Sequence, residues 1–201
     1  MNYNGPKVKL SRRLGIPLTP KAAKIMDKKP YPPGDHGRQQ AFQRKQSDYK
    51  RQLMEKQKLR AQYNISERQL RNYYKKAVKK KGNTGDNLVK MLEMRLDAIV
   101  LRGGLARTIY AARQYVSHKH ITVNGQRVNV SGYTCKVGDV IAVREKSRKI
   151  PCFTEAMEDA QPIDYLALNR NNNAITVMAI PEREQIPVMC ELSLVIEFYS
   201  R

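Results

Sequence analysis

Between residues 105 and 143 the apolar positions follow a helical period first and a strand period afterwards. Four apolar residues fall within a narrow arc when successive residues are placed at 100° intervals, namely Leu105, Ile109, Ala112 and Val116. This spacing predicts a helix over 106–117 that buries the stripe. The opposite side of that helix would carry Arg107, Tyr110, Gln114 and His118, with Arg113 flanking the stripe.

A hairpin is predicted directly after this helix. Asn124-Gly125 lies between two alternating runs, and both residues accept the positive φ angles of a type I′ turn. The dipeptide is therefore the strongest hairpin signal in the chain. Ile121 and Val123 are predicted to face one way and Thr122 the other. The turn would then present Asn124 and Arg127 beside the polar face of the helix.

Three helices are predicted before this segment. The first spans 41–63 and is strongly charged, with a thin apolar face formed by Phe42, Tyr49, Leu53 and Met54. The second starts at Ser66, whose hydroxyl forms a capping box with Gln69, and runs to about residue 80. Its core side would consist of Leu70, Tyr73, Tyr74, Ala77 and Val78. Thr84 is predicted to cap the third helix, which would bury Leu88, Met91, Leu92 and Met94.

The elements after the hairpin are predicted from weaker signals. Val137-Gly138-Asp139 is predicted as the turn that leads into a second strand pair. One short acidic helix is predicted over 151–161. Residues 165–168 and 174–178 flank an asparagine-rich turn and are predicted to form another hairpin. The last segment, 186–199, is ambiguous because its residues favour strands by propensity alone.

Charge is distributed unevenly along the chain, whose net charge is +20. Residues 1–90 carry +18 and residues 91–150 carry +7, whereas residues 151–201 carry −5. Such a field predicts a polyanionic partner, and nucleic acid is favoured over a membrane because the basic helices lack a broad apolar face. Neither a run of eighteen apolar residues nor the apolar core of a signal peptide is found, so we predict a cytoplasmic protein without membrane association.

Catalytic and metal-binding patterns are missing from the sequence. Cys135, Cys152 and Cys190 are odd in number and form no C-x-x-C pair, which favours reduced thiols over disulfides or a zinc cage. His118 and His120 have no carboxylate nearby in sequence and no nucleophile motif around them. Neither G-x-G-x-x-G nor a P-loop is found. We therefore predict no cofactor, no metal and no enzymatic activity.

Residues 1–40 combine basic side chains with six prolines and are difficult to fold alone. Thr19-Pro20 is suited to start a short helix. Two interpretations of this basic arm remain open: it is disordered, or it is ordered against RNA, because neutralised phosphates offset the ordering entropy. Tyr31-Pro32-Pro33-Gly34 is predicted as a rigid turn that places His36 and Arg38 close to a phosphate.

The segment 112–128 reads A-R-Q-x-V-S-H-x-H-I-x-V-N-G-x-x-V and is followed by Gly138-Asp139. It resembles the RNA-binding module of the S-four family of small-subunit ribosomal proteins. Residues 5–13, 30–37 and 181–201 resemble the same family in the same order. The module alone also occurs in unrelated enzymes, so the four motifs together are far more specific than the module.

The resemblance implies an α+β fold, with a helical domain, an inserted α/β RNA-binding module and an extended basic N-terminal arm. In the module, a helix pair would pack on a small, mostly antiparallel sheet. The implied domains are the arm at 1–41, the helical domain at 42–93 completed by 182–201, and the RNA-binding domain at 94–181 with the module at about 94–155. Val8 and Ser11 replace the first zinc-ligating cysteines of some members, so the chain resembles the bacterial, zinc-free form.

The function implied by the resemblance is that of a structural constituent of the small ribosomal subunit. The protein would be a primary binder of 16S-type rRNA that nucleates assembly of the subunit body and contributes to translational accuracy. Neighbouring small-subunit proteins and mRNA near its entrance would be further partners. The alternatives are an RNA-modifying or stress-related protein that uses the module as a tether, or a repressor of a messenger RNA. Neither flank offers a catalytic domain of the usual ~100 residues or more, which disfavours the enzyme.

The residues predicted to contact RNA are Lys7, Lys9, Arg12, Arg13, Tyr31, His36, Arg38, Arg44, Lys45, Lys50, Arg51, Arg68, Arg71, Lys75, Arg95, Arg102, Arg107, Thr108, Arg113, Gln114, His118, Lys119, His120, Asn124 and Arg127. Two positions depart from the module. Ile109 stands where an arginine is usual, and Arg107 is a candidate to compensate. Lys119 stands where glycine is frequent, so the turn either avoids a left-handed residue or tolerates one with strain.

Overall fold

The computed structural model describes residues 3–42, 47–158, 160 and 163–201, with the backbone alone for 40–42. The chain divides into two compact units. The helical unit comprises the residues up to Gly85 together with Val188–Arg201, and the mixed unit comprises Asp86–Pro187. Each is described by itself below. The predicted contact residues Arg44 and Lys45 lie outside the described residues.

The helical unit contains α1 (Lys7–Leu14), α2 (Pro20–Lys28), α3 (Gly37–Phe42), α4 (Asp48–Gln62), α5 (Glu67–Val78) and, near the end of the chain, α10 (Leu192–Ser200). The N-terminal segment expected as an extended basic arm contains the short helices α1, α2 and most of α3. Local caps explain the first two: Gly15 ends α1 with a φ of 72°, and the Thr19 hydroxyl accepts a bond from the Ala22 N–H at the start of α2. The predicted helix start at Thr19-Pro20 is confirmed.

The fourth helix differs from its prediction in both start and buried face. It begins at Asp48, after the range 43–46 that the structure does not describe, because the Ser47 hydroxyl caps it by accepting from the Lys50 N–H. The predicted apolar face is only partly present, since Tyr49 is 52% exposed and Leu59 is buried together with two polar residues, Gln52 and Lys56. The burial of these polar side chains depends on α10.

The capping box at the start of α5 is confirmed, with Ser66 and Gln69 bonded reciprocally. Leu70 and Ala77 form its buried side, but the assignment of Val78 to the core is wrong because that residue is 53% exposed. α6 (Thr84–Glu93) includes Thr84 in the helix. Asn83 provides the cap in its place, since its Oδ1 accepts from the Gly85 N–H.

The ambiguous final segment is helical because α10 packs on α4 and α5. Gln52 of α4 donates to Glu197 at 2.9 Å, and the Tyr199 hydroxyl donates to Glu67 of α5 at 2.7 Å. Lys56 is buried with its Nζ 3.1 Å from Glu67 and 4.2 Å from the centre of the Phe198 ring. Residues of the last helix therefore complete the core of the helical unit.

The mixed unit contains the rest of α6 and then α7 (Leu96–Arg102), α8 (Ile109–Ser117), β1 (Ile121–Val123), β2 (Gln126–Arg127), β3 (Val140–Val143), a 3-10 turn (Glu145–Ser147), α9 (Pro151–Glu158), β4 (Leu166–Asn169) and β5 (Ala174–Val177). The strands form one antiparallel sheet in the order β2-β1-β3-β5-β4. The α+β class is confirmed, and both predicted hairpins are present.

Helices α7, α8 and α9 bury their apolar residues together with one face of the sheet. Ile121, Ile141 and Ile175 are fully buried in this core, whereas Thr122 is half-buried on the opposite side of β1. Gly103 ends α7 close to β5, and a Cβ at this position would overlap the Ile175 side chain. The predicted acidic helix ends at Glu158, and residues 159 and 161 lie outside the described residues.

The predicted helix over 106–117 begins later than expected. α8 starts at Ile109 because Thr108 has an extended backbone and its hydroxyl accepts from the Ala111 N–H. The predicted stripe is confirmed, since Leu105, Ile109 and Val116 are at most 3% exposed. Arg107 and Thr108 therefore precede the helix.

Tyr199→Phe tests whether α10 stabilises the helical unit. Removal of a hydrogen bond to a charged acceptor is expected to lower the free energy of unfolding by about 1.5–3 kcal/mol. Urea denaturation followed by circular dichroism measures the change. Tyr49→Phe is the matched control, because Tyr49 is 52% exposed, and it should change stability by less than about 0.5 kcal/mol. Equal effects of the two substitutions would contradict the prediction.

Candidate nucleic-acid interface

In the helical unit, the turn at Tyr31 is held by two arginines. Arg12 donates to the carbonyl oxygens of Tyr31 and Pro32 at 3.1 and 3.3 Å. The guanidinium carbons of Arg12 and Arg38 lie 4.9 and 5.1 Å from the centre of the Tyr31 ring. The hydrogen bond from Arg38 lowers the pKa of the Tyr31 hydroxyl. The predicted rigid turn is thus fixed by cation–π contacts, with Arg38 exposed and Arg12 half-buried.

Most predicted cations of the helical unit reach the surface. The exposed side chains in this group are Lys9, Arg13, His36, Arg38, Lys50, Arg51, Arg68, Arg71 and Lys75, and the half-buried ones are Lys7 and Arg12. The predicted contact residue Tyr31 is also half-buried. Arg51 lies 4.0 Å from Asp48, but both side chains are largely exposed and such pairs are weak. The exposed members of this group are therefore accessible to phosphates.

In the mixed unit, the start of α8 presents Arg107 and Thr108. Arg107 is exposed and lies 3.4 Å from Glu155, which is also exposed. Ile109, at the position where the module usually has an arginine, is only 3% exposed. The side chain at this position belongs to the core, and Arg107 provides an exposed cation at this end of the helix instead.

The end of α8 settles the question left open at Lys119. Lys119 has a φ of 62°, so the turn adopts the left-handed conformation and tolerates a lysine there. The Lys119 N–H donates to the Val116 carbonyl and the His120 N–H to the Tyr115 carbonyl, which is a Schellman motif. His118 and Lys119 are exposed, and His120 is half-buried with its Nδ1 2.9 Å from the Ser147 hydroxyl.

At the hairpin, Asn124 has an internal role that sequence reasoning missed. Asn124 and Gly125 have the expected positive φ angles of 49° and 80°. The Asn124 amide donates to Asp139 at 2.9 Å and accepts from the Val140 N–H at 2.9 Å, so it joins the β1–β2 turn to the start of β3. The sequence signal that could have indicated this role was the Gly138-Asp139 pair, which belongs to the same motif as Asn124. Arg127, on β2, is exposed.

Three predicted contact residues direct their guanidinium groups inward. Arg95 is 1% exposed and donates twice to Asp97, so the prediction that it contacts RNA is wrong. Arg113 lies 3.2 Å from the same carboxylate with 11% of its side chain exposed. Arg102, with 19% exposed, contacts the buried carboxylate of Glu93. Gln114, next to Arg113, is exposed as predicted.

The two buried carboxylates were also missed. Burial raises the pKa of Asp97, and the bonds from Arg95, Arg113 and the Ala98 N–H oppose that rise. The Tyr165 hydroxyl donates to Glu93 at 2.9 Å, and burial raises the pKa of Tyr165. The usable signal was the run 92–100, in which Glu93, Arg95 and Asp97 are the only charged residues among apolar neighbours.

Metal or membrane sites are not indicated within the described parts of the chain. There, no three His, Cys, Asp or Glu side chains cluster as metal ligands would. None of the helices described is both long and apolar enough to cross a bilayer. The exposed residues of the predicted contact set are mainly lysines and arginines, which suit phosphate contacts.

A capped helix followed by a tight hairpin, with exposed cations around both, is an arrangement that suits a nucleic-acid-binding domain. Comparison with known families supports this class, since residues 94–141 match the S4 domain and residues 2–93 match the ribosomal protein S4/S9 N-terminal domain. The chain is 51% identical to small ribosomal subunit protein uS4 of Streptomyces avermitilis over 205 residues, which cover 100% of this chain and 99% of the relative.

Two further relatives carry the same name. The uS4 protein of Thermobifida fusca is 48% identical over 205 residues, with all of both chains covered. That of Geobacillus kaustophilus is 48% identical over 200 residues, which cover 99% of this chain and 98% of the relative. The chain therefore belongs to the small ribosomal subunit protein uS4 family.

Two substitutions in the same hairpin are expected to have different effects: Asn124→Ala should affect stability, and Arg127→Ala should affect RNA binding. Asn124→Ala should lower the free energy of unfolding by about 1–3 kcal/mol, because the buried carboxylate of Asp139 loses a hydrogen-bond donor. Arg127→Ala should leave stability unchanged and reduce the log–log salt slope of RNA binding by about 0.7–0.9. Thermal unfolding and a salt series measure the two effects. A large stability loss for Arg127→Ala would contradict the assignment.

Lys119→Gly is expected to stabilise the fold and weaken RNA binding at the same time. Glycine relieves a left-handed conformation that disfavours side chains by roughly 1–2 kcal/mol, less the entropy it adds to the unfolded chain. The loss of the cation should reduce the salt slope by about 0.7–0.9. Lys119→Asn is the control, since it removes the same charge but gains less stability. Unchanged stability of Lys119→Gly would show that the turn is unstrained.

Proposed function

We propose that the protein is a structural constituent of the small ribosomal subunit and binds small-subunit rRNA. The observation that carries this proposal is the similarity to uS4 proteins along the whole chain, together with both matched domains. The exposed cations support it, since they are present in both units. The RNA-modifying alternative has less support, because the two family domains occupy residues 2–141.

The charge distribution suggests which part of RNA binding each unit provides. Exposed lysines and arginines of the helical unit would neutralise phosphates and provide most of the affinity. The ends of α8 and the β1–β2 hairpin would fit the shape of the RNA, because RNA helices are recognised mainly through backbone geometry and 2′-hydroxyls. On this proposal the functional domains are the arm at 1–41, the helical domain at 42–93 with 182–201, and the RNA-binding domain at 94–181.

More specific roles belong to the same proposal. The protein would bind 16S-type rRNA early, nucleate assembly of the subunit body and contribute to translational accuracy, all within ribosomes of the cytoplasm. The acidic last quarter of the chain would face neighbouring proteins, because it would repel RNA. Contact with mRNA near its entrance is also proposed. No catalytic activity and no membrane association are expected.

The test is a titration of the purified chain with the 5′ portion of small-subunit rRNA across a salt series. A tRNA and a scrambled RNA of equal length are the competitors. At moderate salt the rRNA fragment is expected to bind at least about 100-fold more tightly than either competitor, as specific complexes do. Equal binding of all three RNAs, lost together as salt rises, would contradict the proposal and leave only charge attraction.

Two double variants with the same charge loss sharpen this test. Arg68→Gln/Arg71→Gln removes two exposed cations of α5 that are predicted to contact RNA. This variant should reduce the salt slope by about 1.4–1.8. Lys146→Gln/Lys149→Gln removes two exposed cations outside the predicted set and should leave the slope within error of the unmodified chain. Equal slopes for both variants would contradict the predicted interface.

A further inference from the structure

A buried cluster of Arg95, Asp97 and Arg113 lies in the mixed unit, where both arginines bond inward to Asp97 although the sequence predicted that they contact RNA. Asp97 is fully buried and accepts from Arg95 at 3.0 and 2.7 Å and from Arg113 at 3.2 Å. Its Oδ1 also accepts from the Ala98 N–H at 3.0 Å. A single carboxylate thus holds two guanidinium groups away from solvent.

The buried cluster joins three separate parts of the chain. Asp97 lies in the first turn of α7, and Arg113 lies in the middle of α8. Arg95 precedes α7, and its backbone forms a bridge with Thr134. The backbone N–H groups of Leu96 and Asp97 donate to the carbonyls of Tyr133 and Ser131. The orientation of α8 relative to α7 and to the loop 131–134 is therefore set at Asp97.

Stability alone gives a weak reason for such a cluster. Burying charges costs several kcal/mol for each ion, and apolar replacements of buried ion pairs are often neutral or stabilising. Directional bonds from planar guanidinium groups do, however, restrict how a helix can rotate or tilt. A cluster of this kind is well suited to fix geometry.

We propose that the buried cluster positions α8 for selective RNA recognition, which rests on the function proposed above. Arg95, Asp97 and Arg113 are positioning residues, and the contacts themselves are made at the two ends of α8 and on the hairpin. α8 has 9 residues, so it is about 13.5 Å long, and a tilt of about 10° moves its ends by about 1 Å. Displacements of this size degrade a recognition site.

Asp97→Asn tests the proposal directly, because a fully buried residue cannot touch RNA. The substitution keeps the size of the side chain and an acceptor for the Ala98 N–H, but weakens both arginine contacts. The ratio of affinities for the 5′ rRNA fragment over scrambled RNA is expected to fall at least about tenfold. The salt slope should not change, because no exposed cation is lost.

Arg113→Gln is the second variant, and it leaves the paired bonds between Arg95 and Asp97 intact. It should lower the same ratio while the salt slope stays constant. A slope reduced by about 0.7–0.9 with the ratio preserved would show that Arg113 contacts a phosphate, and this outcome overturns the proposal. If Asp97→Asn does not fold, Arg113→Gln decides alone.

Tyr165→Phe is the matched structural control. It removes a hydrogen bond to another buried carboxylate, that of Glu93, and this bond joins the end of α6 to the residue before β4. The variant should unfold at a lower temperature and keep the full selectivity.

A folded Asp97→Asn variant whose affinity ratio stays within about twofold of that of the unmodified chain also overturns the proposal. Failure of the proposed function is distinguished beforehand, because the unmodified chain itself would then lack selectivity.

Discussion

A chain with a net charge of +20 has to fold against its own electrostatic repulsion, and this constraint explains how its acidic residues are used. Acidic side chains are few, and several of them are buried beside cations. Glu93 and Asp97 are fully buried in the mixed unit, and Glu67 contacts buried Lys56 in the helical unit. Cations paired with these carboxylates stabilise the fold. The cations that remain exposed are accessible to a polyanionic partner.

The features that the sequence predicted correctly depend on local interactions. The Asn124-Gly125 turn, the capping box at Ser66 and the buried stripe of α8 were predicted correctly, because each depends on residues that are close in sequence. Their physical causes, a permitted φ angle, a satisfied N–H group and a helical period, are all local.

Contacts between distant residues were the part that the sequence could not provide. The sequence does not distinguish an arginine that binds Asp97 from one that binds a phosphate. Arg95 was therefore predicted to contact RNA, although it is buried. The exposed turn residue Asn124 likewise looked free to bind, but its partner Asp139 lies fifteen residues further on. The helical form of the last segment depends on partners such as Gln52, 145 residues before Glu197.

In helix α8, different positions serve the core and the proposed interface. The burial of Ile109 excludes the usual arginine from the first turn, and the buried stripe and the bond from Arg113 to Asp97 occupy the middle. Two exposed cations then lie at the two ends, Arg107 before the helix and Lys119 after it. An interface built from separated ends depends on the orientation of the helix that connects them. On the proposal made above, packing and the buried ion pairs of the mixed unit contribute to recognition by fixing this orientation, without themselves contacting RNA.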